Sequence, residues 1–220
     1  SNAPSRSGGL PTALQKVRYR ELDNQGRMIL SALEDGTAAT ILQKHYTVYQ
    51  TNATLKFPYW DDSTGRPLLS VQVAATNNAG MVTDNYAVDP ARTAASGGVP
   101  TGLSSGTNQS HYLSWTRQVY DTFTGKLAAI DHYHLIPTSG YGTKDTHYAE
   151  TVLGYDSLGR QARTVAPGGT ITRTVFDAIG RELSIWIGTD DIPTSGTWSP
   201  TNCSGANLIK VAQCEYDGGN

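Results

Sequence analysis

Hydrophobic and polar residues alternate along most of this chain. Ahead of Asp177, Ile171, Arg173 and Val175 fall on one face of an extended segment, and Thr170, Thr172, Thr174 and Phe176 on the other. Beyond it, Leu183, Ile185 and Ile187 share a face. Between Leu68 and Ala74 the same alternation groups Leu69, Val71 and Val73. A period of two marks half-buried β-strands, because successive side chains leave a strand on opposite sides. No segment carries a helical period, since glycine and β-branched residues interrupt every candidate. An Asp35-Gly36 turn separates two apolar runs, while residues 94–110 read as a loop or weak linker and residues 192–206 as a second long loop.

The alternating segments are punctuated by one recurring unit. Its clearest copies are Tyr155-Asp156-Ser157-Leu158-Gly159-Arg160 and Phe176-Asp177-Ala178-Ile179-Gly180-Arg181, with the aspartates 21 residues apart. Trp60-Asp61 with Gly65-Arg66, and Tyr120-Asp121 with Gly125-Lys126, are forms one residue longer. Asp23, Gly26 and Arg27 make the same turn with Tyr19 displaced upstream, and Tyr216-Asp217 begins a further copy. The long gap between Asp61 and Asp121 hides a degenerate unit around Asn77-Asn78-Ala79-Gly80 and Tyr86-Ala87-Val88-Asp89.

Each residue of the unit has a physical role. The aspartate accepts hydrogen bonds from N–H groups further round the turn, and the glycine takes the left-handed conformation that closes a type I turn with a bulge. The aromatic and the basic residue of one unit flank its turn, and they are expected to pack together in a cation–π contact of up to about 1 kcal/mol. The unit is a β-hairpin, and a lone hairpin is only marginally stable. Hairpins of this kind must pair edge to edge, so the predicted fold is all-β: consecutive antiparallel hairpins forming a curved, open sheet. Its open edges invite a dimer. Residues 1–3 (Ser1-Asn2-Ala3) read as an expression-tag remnant, residues 4–110 as a degenerate repeat region with insertions, and residues 111–220 as a more regular region whose last copy is truncated.

Composition agrees with strands and turns: 23 Gly, 12 Tyr and 10 Pro in 220 residues, with only 16% charged. A net charge of −2 provides no electrostatic footprint for nucleic acid or anionic lipid. No apolar run approaches the roughly 18 residues of a membrane-spanning helix. Low charge suits an exported protein. Cys203 and Cys214 flank residues 207–211, and two readings stay open: a disulfide across a hairpin, or two reduced, partly buried thiols.

Sharper chemistry finds little support. Gly102-Leu103-Ser104-Ser105-Gly106 has the nucleophile-elbow spacing without a helix to follow it. His132 and His134 share a strand face, and His147 or His111 could join them at a metal, but histidines beside strand aromatics are the more ordinary reading. Of the acidic pairs, Asp61-Asp62 is explained by its turn and Asp190-Asp191 reads as a solvated loop entrance. Trp60, Trp115, Trp186, Trp198 and the tyrosines could line a carbohydrate-binding strip, with ordinary sheet packing favoured. Sequons at Asn52, Asn108 and Asn202 would stay unmodified in a bacterial protein. No enzyme activity and no cofactor are expected.

The Tyr-Asp-x-x-Gly-Arg units resemble the YD repeats of the bacterial Rhs (rearrangement hot spot) family, which has relatives in the shells of insecticidal toxin complexes and in teneurins. Residues 170–188 carry the resemblance best; it covers residues 119–220 well and the N-terminal half loosely. It implies a β-strand spiral that winds into a hollow shell, which in several members encloses a toxic C-terminal domain. This chain is then expected to be a non-catalytic piece of shell wall from a large protein, secreted or at the bacterial cell surface. Its partners would be the other YD repeats of the same chain and a C-terminal effector domain. The alternative is a carbohydrate- or receptor-binding module that meets a surface glycan. Nothing here matches the family's self-cleavage region or a toxin domain.

Overall fold

The computed structural model describes residues 16–35, 40–203 and 207–217. The strands follow one another as β1 (Lys16–Leu22), β2 (Met28–Asp35), β3 (Thr40–Gln50), β4 (Ala53–Phe57), β5 (Trp60–Asp61), β6 (Arg66–Pro67), β7 (Val71–Thr76) and β8 (Val82–Val88). Then come β9 (Thr93–Ser96), β10 (Val99–Leu103), β11 (Tyr112–Tyr120), β12 (Leu127–Tyr133) and β13 (Tyr148–Tyr155). The last are β14 (Gln161–Val165), β15 (Ile171–Phe176), β16 (Glu182–Gly188) and β17 (Ile209–Gln213). Thirteen of them pair in one open antiparallel sheet, in the order β1-β2-β3-β4-β7-β8-β11-β12-β13-β14-β15-β16-β17. Among the described residues the only helical segments are two short 3₁₀ turns, Pro90–Arg92 and Gln109–His111. The expected all-β fold of consecutive antiparallel hairpins is thus the fold observed.

The chain divides into two compact units, Ser1–Trp115 and Thr116–Asn220, with the division inside β11 rather than at residue 110. In the first unit, alternation on β4 and β7 buries Leu55, Phe57, Val71 and Val73, and Val88 joins them from β8. Trp60 completes this core, meeting Tyr46 and Phe57 edge-on at 5.5 and 6.2 Å between ring centroids. The Trp60-to-Arg66 unit is a hairpin, but it departs from the expected place. β5 and β6 pair only with each other, off the main sheet, and drive Trp60 into the core. Burial of so large a ring outweighs continued pairing with β4 and β7, which already pair with one another.

Two further expectations fail in this unit. Residues 94–110 are not a structureless linker, since β9 and β10 form their own two-stranded hairpin and Asn108 caps the 3₁₀ turn that follows. Leu69 does not share the face of Val71 and Val73: it precedes β7 and is half exposed. The Asp35-Gly36 turn lies largely outside the described residues.

An antiparallel meander sorts its connections by edge. In the first unit the turns at Asp23, at Thr51-Asn52 and at Asn77 share one edge, and the connections 58–70 and 89–111 share the other. In the second unit the turns at Asp121, Asp156 and Asp177 share one edge, and the connections 134–147, 166–170 and 189–208 share the other. A register shift sits at the turn in five of these hairpins, at Glu21/Leu22, Ala75/Thr76, Val119/Tyr120, Gly154/Tyr155 and Val175/Phe176. These are the bulges that the turn chemistry calls for.

Phe57 is fully buried whereas Leu69 is half exposed. Phe57→Ala is expected to cost about 3–5 kcal/mol, and Leu69→Ala less than about 0.5 kcal/mol, in urea denaturation followed by tryptophan fluorescence.

Candidate functional site

The repeated turns concentrate the chain's distinctive residues. Asp23 Oδ1 accepts the N–H groups of Gln25 and Arg27, both at 2.9 Å. Asp156 Oδ1 does the same for Leu158 and Arg160 at 3.0 and 2.9 Å, and Asp177 Oδ1 for Ile179 and Arg181 at 3.0 and 2.8 Å. Asn77 Oδ1 reproduces the pattern with Ala79 and Met81, so the degenerate unit is a complete turn built on an amide. Gly159 and Gly180 take φ of 84° and 95°, which an L side chain rarely adopts. In the longer turns hydroxyls help: Asp61 is bound by Ser63 and Thr64, and Asp121 by Phe123 N–H and by both the N–H and the hydroxyl of Thr124.

The arginines do something that the alternation and spacing do not foretell. Each pairs with its own aspartate, Nε to Oδ2 at 2.7 Å, in Arg27–Asp23, Arg160–Asp156 and Arg181–Asp177. Its guanidinium then lies over the aromatic ring of the following hairpin, not over the aromatic of its own unit. Arg27 covers Tyr49 at 4.2 Å, Arg160 covers Phe176 at 4.8 Å and Arg181 covers Tyr216 at 4.3 Å; Lys126 covers Tyr155 at 5.0 Å. The expected contact within one unit is therefore replaced by a contact between neighbours. The aspartate anchors the guanidinium at the turn, and sheet pairing brings the next aromatic under it.

The covered tyrosines answer with a hydrogen bond. Tyr49, Tyr155 and Tyr216 donate their hydroxyls to the carbonyls of Met28, Leu127 and Glu182, at 3.3, 2.9 and 2.9 Å. In each case the acceptor is the residue directly after the basic one. Phe176 has no hydroxyl, and there Arg160 Nη1 donates to the Asp177 carbonyl at 2.7 Å. Tyr49 thus belongs to a unit that the sequence pattern misses, because its tight Thr51-Asn52 loop lacks the Asp-x-x-Gly signature. An aromatic two residues before a hairpin loop was the available signal.

These contacts set the carboxylates. Asp23, Asp61, Asp121, Asp156 and Asp177 are all held below the ordinary aspartate value of 3.8. For Asp23 and Asp156 desolvation pushes upward but is outweighed by the N–H groups and guanidinium of Arg27 and Arg160. For Asp177 the Arg181 guanidinium leads the lowering; for Asp61 the Ser63 hydroxyl leads, and for Asp121 the Thr124 N–H.

Two further ionic centres lie beside the insertions. Asp191 is buried, correcting the expectation of a solvated loop entrance. Its Oδ2 receives Nε of Arg163 at 2.7 Å and of Arg173 at 2.6 Å. These arginines are direct cross-strand neighbours on β14 and β15, so the carboxylate relieves a like-charge pair. Burial pushes Asp191 upward, yet the two guanidiniums hold it below the usual carboxylate range. Arg173 also lies over Trp198 at 4.8 Å, tying the 192–203 segment to the sheet. Asp131 is buried on β12 with Arg117 Nη1 at 3.5 Å from Oδ2, and burial pushes its carboxyl upward. Arg117 in turn stacks on Tyr141 at 3.6 Å, which anchors the 134–147 connection.

The other candidates are dispersed or engaged. His132 lies 3.5 Å from Thr116 Oγ1, His134 lies 3.2 Å from the Thr146 carbonyl, and His147 and His111 accept the N–H groups of Thr143 and Asn108. Among the described residues no three or more His, Cys, Asp or Glu gather where they could hold a metal. Ser104 follows the last residue of β10, and a 3₁₀ turn, not an α-helix, comes after it. Asp62 is paired with Lys44, and Asp190 caps the N–H of Ile192. Cys203 is half-buried and Cys214 exposed, and both stand as free thiols. Trp60 and Trp115 are buried and Trp186 and Trp198 half-buried, so the four tryptophans do not form an exposed strip. Asn108 and Asn202 spend their side chains on loop hydrogen bonds. No helix among the described residues is long and apolar enough to cross a membrane.

No family model matches the chain, and no curated protein is similar to it. Among solved structures, it is similar to the crystal structure of TcdB2-TccC3-Cdc42, at 16% identity and a TM-score of 0.36 over 80% of this chain and 9% of that one. It is also similar to TcdB2-TccC3, at 18% identity and a TM-score of 0.38 over 79% of this chain and 9% of that one. A third is the Photorhabdus luminescens Tc holotoxin pore carrying TccC3-D651A, at 12% identity and a TM-score of 0.33 over 91% of this chain and 11% of that one. The chain thus spans between 9% and 11% of the length of these structures.

Two measurements check the ladder. A double-mutant cycle on Arg160→Gln and Phe176→Leu is expected to return a coupling of about 0.5–1 kcal/mol, while the same cycle on Arg160 with Tyr155 returns none. Stability should also depend on acid. The five turn carboxylates sit lower in the folded than in the unfolded chain, so their contribution is complete above the unfolded value near 3.8 and is lost as pH falls through the folded values. Asp131, shifted upward, acts in the opposite sense. Urea midpoints should therefore drop steeply below about pH 4–5, and less steeply in Asp156→Asn.

Proposed function

We propose that this chain is a non-catalytic structural segment of a large exported protein of the Rhs/YD-repeat kind, part of a wall that encloses or presents another domain. The observation that supports this is the ladder between neighbouring hairpins. Each basic residue is shared between the aspartate of its own turn and the aromatic of the next hairpin. Such a device couples nearest neighbours only, so it can be extended hairpin by hairpin without redesign of what came before. The chemistry-bearing residues of the repeat are consumed by the ladder, since the aspartates are saturated with hydrogen bonds and the arginines are ion-paired and stacked. They serve architecture, and the partners they require are further repeats of the same full-length chain. A C-terminal effector domain is the cargo such a wall would carry, outside the cell or at its surface.

The carbohydrate-binding reading is less favoured, because Trp60 and Trp115 are buried and Trp186 and Trp198 half-buried. Electron microscopy of the full-length protein tests the wall reading. The expected particle is hollow, with this region as a stretch of its wall and further Asp-x-x-Gly-Arg hairpins on at least one side. A compact particle, or a full-length chain without such hairpins, would overturn it. The same preparation is expected to show no turnover of chromogenic esters or glycosides.

A further inference from the structure

Between the sheet of the second unit and the 192–203 segment lies a cavity of about 280 Å³. Tyr155, Phe176, Trp198 and Pro200 give it apolar walls, and Arg160, Arg173 and Asp156 supply its charged groups. The volume falls just below the roughly 300–1,000 Å³ of drug-sized sites and exceeds the ~150 Å³ that admits a benzene ring. A small organic molecule fits it.

The charges around the cavity do not balance. Asp156 is ion-paired with Arg160, and Asp191 is shared by Arg163 and Arg173, so three guanidiniums meet two carboxylates. The surplus falls on Arg173. Arg163 donates Nε and Nη2 to the two oxygens of Asp191, at 2.7 and 3.1 Å, whereas Arg173 gives only its Nε, at 2.6 Å. Among the described residues Nη1 and Nη2 of Arg173 donate to no acceptor, and neither is buried. The contact with Trp198 at 4.8 Å and the bond to Asp191 fix the plane of this guanidinium. Its unused edge is a preorganised fork, the geometry that a carboxylate meets with two parallel hydrogen bonds. Arg173 is only 19% exposed, so water screens its charge weakly.

We propose that this cavity binds a small organic carboxylate, with the anionic head on the Nη1–Nη2 edge of Arg173 and the apolar body against Phe176 and Trp198. Both parts of the ligand are required. A free phosphate satisfies the fork and leaves the apolar walls uncovered, while a neutral ring covers the walls and leaves the charge unmet.

Isothermal titration with benzoate, benzamide and inorganic phosphate tests this. Benzoate is expected to saturate the chain with a dissociation constant on the order of 1 mM or tighter. Benzamide, the neutral isostere, should bind about tenfold more weakly or worse, and phosphate more weakly than benzoate. Arg173→Gln should weaken benzoate about tenfold or more. Ser199→Asp puts a carboxylate on the cavity wall and leaves every arginine in place. It should block benzoate to a similar extent, and it serves as the test should Arg173→Gln misfold. Benzoate that fails to saturate the wild-type chain overturns the proposal. Benzamide that binds as tightly as benzoate overturns it in favour of a purely apolar pocket, and phosphate that binds more tightly overturns it in favour of a bare oxyanion site. Benzoate affinity unchanged in either folded variant overturns it by placing the ligand elsewhere.

Discussion

The structure depends on a double engagement of one side chain. A guanidinium held by the aspartate of its own turn is presented, at a fixed height and orientation, to the ring of the next hairpin. Neither contact alone would do this. An arginine free of Asp156 would lose rotamer freedom on stacking, and an exposed ion pair by itself contributes little. Joined, the first contact removes the entropy that the second would otherwise have to overcome. The tyrosine hydroxyls at Tyr49, Tyr155 and Tyr216 then fasten the ring to the carbonyl beyond the basic residue, so that a hairpin is located by its predecessor in two directions.

This explains how a long sheet is built from few apolar residues. The first unit has a compact core around Phe57, Trp60 and Val71, but among the described residues buried hydrophobics are sparse in the second, where Ala129 and Ile171 are buried. There the ladder and the ionic clamps on Asp191 and Asp131 act in place of a deep core. Buried charges need such neighbours: Asp191 is met by two arginines, and without it Arg163 and Arg173 would face each other unscreened across two strands. The two edges of each unit's sheet consequently have different characters. In the second unit the Asp121, Asp156 and Asp177 turns hold one edge, while the opposite edge carries the longer 134–147 and 189–208 connections, which can vary without disturbing the ladder.

Variation on the turn edge includes the residue two beyond the aspartate, whose backbone is held but whose side chain is free. Gln25 and Phe123 share that position in turns that bind the same N–H. A fold that leaves a position unconstrained leaves it open to selection for contact with something else.

The sequence by itself determined the strands, the turns and their all-β meander, because these rest on local physics. Alternation sets the faces of a strand, Asp and Gly set the turn, and both act within a few residues, so Asp156, Gly159, Asp177 and Gly180 were legible without a structure. Even Asn77 was visible as a weakened copy. Tertiary structure alone decided which aromatic each basic residue meets, since that partner lies a whole hairpin away and is delivered by strand pairing. It decided too that Trp60 leaves the sheet for the core, that Asp191 is buried between two arginines, and that Tyr49 begins a unit with no aspartate. Each of these is a contact across many residues, where the gain from burying a ring or neutralising a charge overrides the local pattern in which the residue sits.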